Sequence, residues 1–227
     1  KMKKYLLSLC ASFALFIAPA ISNADIAIGL TVSSNTLDTA GKEDIDSNGT
    51  IDATKNVSDD FTVGSIFLEK TQMGERFGVT LGVDYIPFDA DIDKRSITQS
   101  SLKAKADGAA TSGTNSVQGT VSDHRTFYLQ PGIMVNDNFL YATIGLAYAD
   151  INVKNTSISS TDLNKTVDLD GTKIGFGIKR VADNGLVVKL DYSETDYDPV
   201  SFTTSNNTKA TADLDNSTVA LSIGRQF

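Results

Sequence analysis

The sequence predicts a single all-β domain, closed into an antiparallel up-and-down transmembrane β-barrel of eight strands. Three observations lead there: strand signals that never give way to a helical period, apolar positions alternating with polar ones, and connections that are short and long in turn.

The candidate strands, in order, are IAIGLTVSS (26–34), DFTVGSIFLEK (60–70), RFGVTLGVDYIP (76–87), RTFYLQPGIMV (125–135), FLYATIGLAYADINV (139–153), GTKIGFGIKRV (171–181), LVVKLDYSETDY (186–197) and DLDNSTVALSIGRQF (213–227). Each is dense in β-branched and aromatic residues, which fit a pleated surface. In the third, Phe77, Val79, Leu81, Val83 and Tyr85 oppose Arg76, Gly78, Thr80, Gly82 and Asp84. In the sixth, Ile174, Phe176 and Ile178 oppose Lys173, Gly175, Gly177 and Lys179, and in the seventh Leu186, Val188, Leu190 and Tyr192 oppose Lys189, Asp191 and Ser193. The second is less regular, because Phe61, Val63 and Phe67 fall out of phase with Ile66 and Leu68.

Alternation alone fits a soluble sandwich with an oily interior or a barrel with an oily exterior. The connections decide. Tight turns follow strands two, four and six, near TQMGE, NDN and DNG, while long polar segments at 35–59, 88–124, 154–170 and 198–212 follow the others. Transmembrane barrels sort their connections this way. Strand length agrees, since a tilted strand needs about 9–11 residues to cross the hydrocarbon core. Aromatics on the apolar faces, among them Phe77, Tyr85, Tyr148, Tyr192 and Phe227, sit near the expected membrane boundaries.

Residues 1–24 have a basic start (Lys1, Lys3, Lys4), an apolar middle and a small-x-small ending at Ser22-Asn23-Ala24, the pattern of a secretory signal peptide cut before Asp25. The barrel domain is then 25–227. Cys10, the only cysteine, falls inside the leader, so the mature chain offers neither disulfides nor thiolate metal ligands. Without the leader, 17 basic residues face 28 acidic ones, a net charge of −11. Such a surface argues against nucleic acid, whose binding rests on Lys and Arg neutralising phosphates.

The stretch STVALSIGRQF places Phe227 on one face with Ile223, Leu221 and Val219, and puts Arg225 at an outward position that is usually apolar. It resembles the terminal strand of bacterial outer-membrane β-barrel proteins. With the leader and the alternating connections, the whole mature chain resembles the small eight-stranded barrels, the superfamily of OmpA transmembrane domains, OmpX and OmpW. The resemblance implies residence in the bacterial cell outer membrane among lipid and lipopolysaccharide. It also implies assembly by the barrel-assembly machinery through Phe227, Ile223 and Leu221, a monomeric state, and long connections that face outward and meet an external ligand of unknown identity.

Candidate chemistry is sparse. In DIDSNGTID, Asp44, Asp46, Asn48, Thr50 and Asp52 occupy calcium-loop positions one, three, five, seven and nine, with Gly49 at the bend. Position twelve is Lys55, where an EF-hand has its bidentate Glu. An Asx-rich turn and a weak surface calcium loop both fit, and no other cofactor is suggested. Lumen-facing charges are expected at Arg76, Asp84, Lys173, Lys179, Lys189 and Asp191. Eight strands enclose a space that side chains largely fill. Paired charges would plug it; pairs that exchange partners would gate a narrow path. His124, the only histidine, follows Ser122 and Asp123, but neighbours in a strand point to opposite faces, so a relay within the tripeptide is geometrically poor. The sequence thus reads as a non-enzymatic barrel with a structural or surface-interaction role, with a narrow channel for small solutes as the alternative.

Overall fold

A computed structural model describes residues 25–44, 47–91, 95–103, 110–156, 163–203 and 209–227. The leader read at 1–24 lies outside the described residues, as does Asp46.

The turns at one end of the molecule are tight, and each has a local cause. Asn136, at φ 53°, and Asp137 join two strands at the NDN signal. At DNG, Gly185 adopts φ 80°, its N–H donates to the Ala182 carbonyl at 2.8 Å, and the Leu186 N–H donates to Asn184 Oδ1 at 3.1 Å. A positive φ costs glycine no Cβ clash, which is why it stands there. The third turn closes through the Gly74 N–H and the Phe77 carbonyl at 2.8 Å.

From these turns rise β1 (Asp25–Asp44), β2 (Ala53–Met73), β3 (Phe77–Tyr85), β4 (Ala90–Asp91), β5 (Arg95–Lys103), β6 (Ala110–Val135), β7 (Asn138–Thr156), β8 (Leu163–Val181), β9 (Leu186–Thr203) and β10 (Lys209–Gln226). Eight of them form a ring of antiparallel ladders, β1-β2-β3-β6-β7-β8-β9-β10, closed by β10 on β1 from Ala27↔Gln226 to Asp44↔Lys209. Closure pairs the backbone without help from water, which a bilayer core requires. The short β4 and β5 do not add to the ring; they continue along the outer end of β6 above β3.

The two faces follow the predicted alternation. Ile28, Leu30, Phe176, Leu190, Leu221 and Ile223 are exposed on the outside, whereas Thr31, Thr80, Thr126, Gln130, Ser193 and Ser222 are buried inside. The outer apolar band covers residues 26–32 of β1, 66–68 of β2, 77–85 of β3, 127–135 of β6, 140–146 of β7, 174–178 of β8, 186–192 of β9 and 219–223 of β10. These are the membrane-spanning segments. Phe227, Ile223 and Leu221 all lie on this outer face, and the Arg225 guanidinium sits 5.8 Å from the Phe227 ring centroid.

Two readings change. Segments 35–59, 154–170 and 198–212, read as loops, are largely strand: β1 and β2 stay paired out to Glu43↔Ala53, and β7 and β8 out to Asn155↔Leu163. Beyond the bilayer the outer face meets water, so the outward apolar pattern stops while the ladder does not, and on β7 to β10 the inner face is apolar instead. Residues 110–124, inside the segment read as the second loop, are likewise strand and pair with β5 or β7. The second difference is the phase of β2: Ile66 and Leu68 face lipid, and Phe67 is buried inside against Ala27 and Val187. A Cβ on Gly224 would meet the Phe67 ring at 2.7 Å, so the ring occupies space left by a missing side chain.

Candidate functional site

The lumen is divided into a filled half near the tight turns and an open half facing the long hairpins. Glu69 makes the filled half. It sits on β2 one step from the outward Leu68, and its alternation carries it inside, where its side chain is fully buried. Lys179 of β8 donates to Glu69 Oε1 at 3.0 Å and Lys189 of β9 to Oε2 at 2.9 Å. The Tyr128 hydroxyl adds a bond to Oε2 at 3.2 Å.

Lys179 spends its remaining protons on Thr71 Oγ1 at 2.7 Å and Thr80 Oγ1 at 3.2 Å, so each of its three N–H groups has an acceptor. Lys189 instead lies against aromatic rings, 5.2 Å from the centroids of Phe67 and Tyr128 and 5.7 Å from that of Tyr141. An ammonium taken from water is held this way by quadrupoles as well as by its carboxylate. Glycines make room for the rings: a Cβ on Gly82 would collide with Tyr128.

The open half is a cup of about 550 Å³. Its floor carries Asp84, which accepts from Ser65 Oγ at 2.8 Å, and Asp191, which accepts from the Tyr141 hydroxyl at 2.7 Å. Lys173 faces the same floor and makes no hydrogen bond or ion pair among the described residues. One wall is apolar, built by a cluster on β7 to β10 that includes Leu169, Tyr197 and Leu214, with Leu37 and Val121 packed against it.

His124 closes the cup on the β6 side. A bulge between Ser122 and Arg125, with Asp123 at φ 52°, breaks the β6–β7 register there. The imidazole Nε2 and the Tyr197 hydroxyl are 3.0 Å apart, and the buried Nδ1 has no partner. Burial, with a smaller contribution from the nearby Lys173 charge, pushes its pKa from 6.5 down to about 4, so the ring is neutral at pH 7. Ser122 and Asp123 do not bond the ring, and no Ser-His-Asp relay forms in the tripeptide.

Of the six charges expected in the lumen, Lys179 and Lys189 meet in the filled half, and Asp84, Lys173 and Asp191 share the floor of the cup. Arg76 does not join them; it is exposed in the turn between β2 and β3, where its carbonyl accepts from the Met134 N–H at 2.9 Å. The inward face of β3 runs out at Gly78, so a residue two places earlier lies below the lumen. Glu69 was missed because β2 carries apolar residues on both faces, which hid its phase.

In the first hairpin, Asp44 is buried and its carboxylate accepts from the backbone N–H groups of Asn48 at 3.0 Å and Gly49 at 2.8 Å, while Asn48 Oδ1 accepts from the Thr50 N–H at 2.8 Å. Asp52 closes the hairpin through its N–H and the Glu43 carbonyl at 2.8 Å. These are the bonds of an Asx-type turn.

No family model and no curated protein sequence matches the chain. Among solved structures it is similar to the outer membrane protease OmpT from Escherichia coli, with a TM-score of 0.50, 9% identity, and coverage of 91% of this chain and 97% of that one. It is also similar to Ail, the attachment invasion locus protein of Yersinia pestis, with a TM-score of 0.42, 14% identity, and coverage of 90% and 97%. At these identities the likeness to OmpT speaks for the fold alone. The closed ring of eight antiparallel strands, banded outside with apolar residues, has the fold of the small outer-membrane β-barrels.

Proposed function

We propose that the chain resides in the bacterial outer membrane as a non-enzymatic barrel that works at the cell surface through its outward cup and hairpins, and that it conducts no solute. The observation that carries this reading is the Glu69–Lys179–Lys189 cluster, with side chains 0%, 3% and 4% exposed, which fills the lumen across its width with bonded charges and rings. Opening a path would require these buried charges to separate and lose their partners, a penalty of several kcal/mol per ion.

In the filled half and at the floor of the cup, Glu69, Asp84 and Asp191 face Lys173, Lys179 and Lys189, three charges of each sign, while Asp59, Asp60, Asp89 and Asp91 line the cup as well. The hairpins beyond the bilayer are paired strands, a rigid platform for contact.

The test is planar-bilayer conductance of the refolded chain, with and without millimolar calcium, alongside proof of insertion. A silent bilayer is the expected result. Discrete, reproducible openings would overturn the closed lumen and restore the narrow channel.

A further inference from the structure

The floor of the cup is built for more than filling. Lys173 lines the cavity with no hydrogen bond or ion pair among the described residues, although the charges of Asp84 and Asp191 act on it. Asp84 accepts from Ser65 through Oδ2 and Asp191 from Tyr141 through Oδ1, which leaves the second oxygen of each carboxylate without a hydrogen bond among the described residues, and both residues line the cavity. Gln130, 3% exposed, also lines the cup; its Nε2 donates to Thr143 while its Oε1 has no partner. One ammonium, two half-used carboxylates and an unpaired amide oxygen thus line the same cup.

We propose that the cup binds a free α-amino acid with an apolar side chain, its ammonium on Asp84 and Asp191, its carboxylate on Lys173, and its side chain against the apolar wall. A simple anion would meet two carboxylates and a simple amine would meet the Lys173 ammonium, whereas a zwitterion can set each of its ends against the opposite charge. The two carboxylates suit the ammonium, and Gln130 Oε1 is a further acceptor on the wall of the same cup. The wall of Leu37, Val121, Leu169 and Leu214 excludes a polar side chain. A cavity of about 550 Å³ falls within the range of small-molecule pockets, apolar in the main with a few convergent polar groups.

This inference rests on the closed floor proposed above. The experiment is isothermal titration of the refolded chain in detergent with L-phenylalanine, N-acetylphenylalanine and phenylalaninamide. The free amino acid should bind with a Kd of about 1 mM or tighter, as its size allows. Each blocked analogue should bind roughly tenfold more weakly, since each leaves one buried charge of the floor unpaired. Lys173→Met should erase the preference for the free acid over the amide, and Asp191→Asn the preference over the N-acetyl form. The three probes on the unaltered chain decide the matter even if a variant fails to fold. Equal affinity for all three, or no heat at 10-fold the expected Kd, would overturn the assignment. Conductance of the same preparation separates the failures: silence without binding removes the ligand alone, and openings remove the closed floor beneath it.

Discussion

Glu69 Oε2 and Lys189 Nζ lie 2.9 Å apart with both side chains withdrawn from solvent, and Lys179 holds the other oxygen of the same carboxylate. One acid therefore serves two buried bases. Removing it strands two ammonium groups at once, while removing either base leaves the acid still paired.

The first prediction follows from that asymmetry. Glu69→Gln should lower stability by about 3–5 kcal/mol, the usual cost of orphaning a buried charge. Replacing all three residues, Glu69→Leu with Lys179→Met and Lys189→Met, should recover most of it, because a packed apolar cluster often equals a buried ion network. Urea midpoints of the refolded barrel, followed by the mobility shift between unboiled and boiled samples, measure both. A single variant no less stable than the parent would refute the role given to Glu69.

His124 makes stability depend on pH. Its folded pKa of about 4 lies below the ordinary 6.5, so the unfolded chain binds the proton more tightly between those values. The stability conferred by the neutral ring is complete above pH 6.5 and is lost as pH falls toward 4. Partial exposure of the ring limits the loss to about 2 kcal/mol. Urea midpoints from pH 4 to 7 should slope in the parent and flatten in His124→Gln.

Asp38, Asp215 and Asp196 are direct cross-strand partners on β1, β10 and β9, exposed just beyond the apolar band. Partial burial and the neighbouring Asp196 and Asp38 raise the Asp215 pKa. Like charges set opposite each other destabilise a sheet, so Asp215→Asn should gain on the order of 0.2–1 kcal/mol at pH 7. Salt should shrink the gain, and so should acid, since a raised folded pKa means the parent recovers stability as the pH falls and Asp215 takes up its proton. Midpoints at low and high ionic strength provide the check.

Gly82 and Gly64 offer a matched pair. A Cβ at Gly82 collides with the Tyr128 ring, whereas at Gly64 the nearest atom is the Thr31 carbonyl oxygen at 3.9 Å. Gly82→Ala should cost about 1–3 kcal/mol through overpacking. Gly64→Ala should be near neutral. The same unfolding assay compares them.

What could be read in the sequence was the part where lipid imposes a pattern. On β8 and β9, Ile174, Phe176, Ile178, Leu186, Val188 and Leu190 face outward as their alternation requires, and Lys179 and Lys189 face in. Where lipid ends the outward apolar pattern ends, and paired stretches such as β1 beyond Ser34 and β2 before Asp60 looked like loops. Glu69 was illegible for the opposite reason: Phe67 on the inner face and Leu68 on the outer are both apolar, so no local signal set the phase. The meeting of Asp84 with Lys173 and Asp191 sets β3 against the β8–β9 hairpin, distant in the chain, and only ring closure brings them together.

The ladder between β2 and β3 ends at Ile66↔Tyr85, yet β2 runs on to Ala53 bonded to β1 alone among the described strands. Along that stretch alternate amides point away from β1. They should exchange with deuterium quickly, while their neighbours, bonded to β1, stay protected, giving a sawtooth profile along a single strand. β1 of that hairpin stays laddered to β10 out to Asp44↔Lys209, so among the described strands the wall above the bilayer is interrupted at one seam, between β2 and β3, and a guest too bulky for the bore below meets a strand edge there and a continuous ladder on the β10 side.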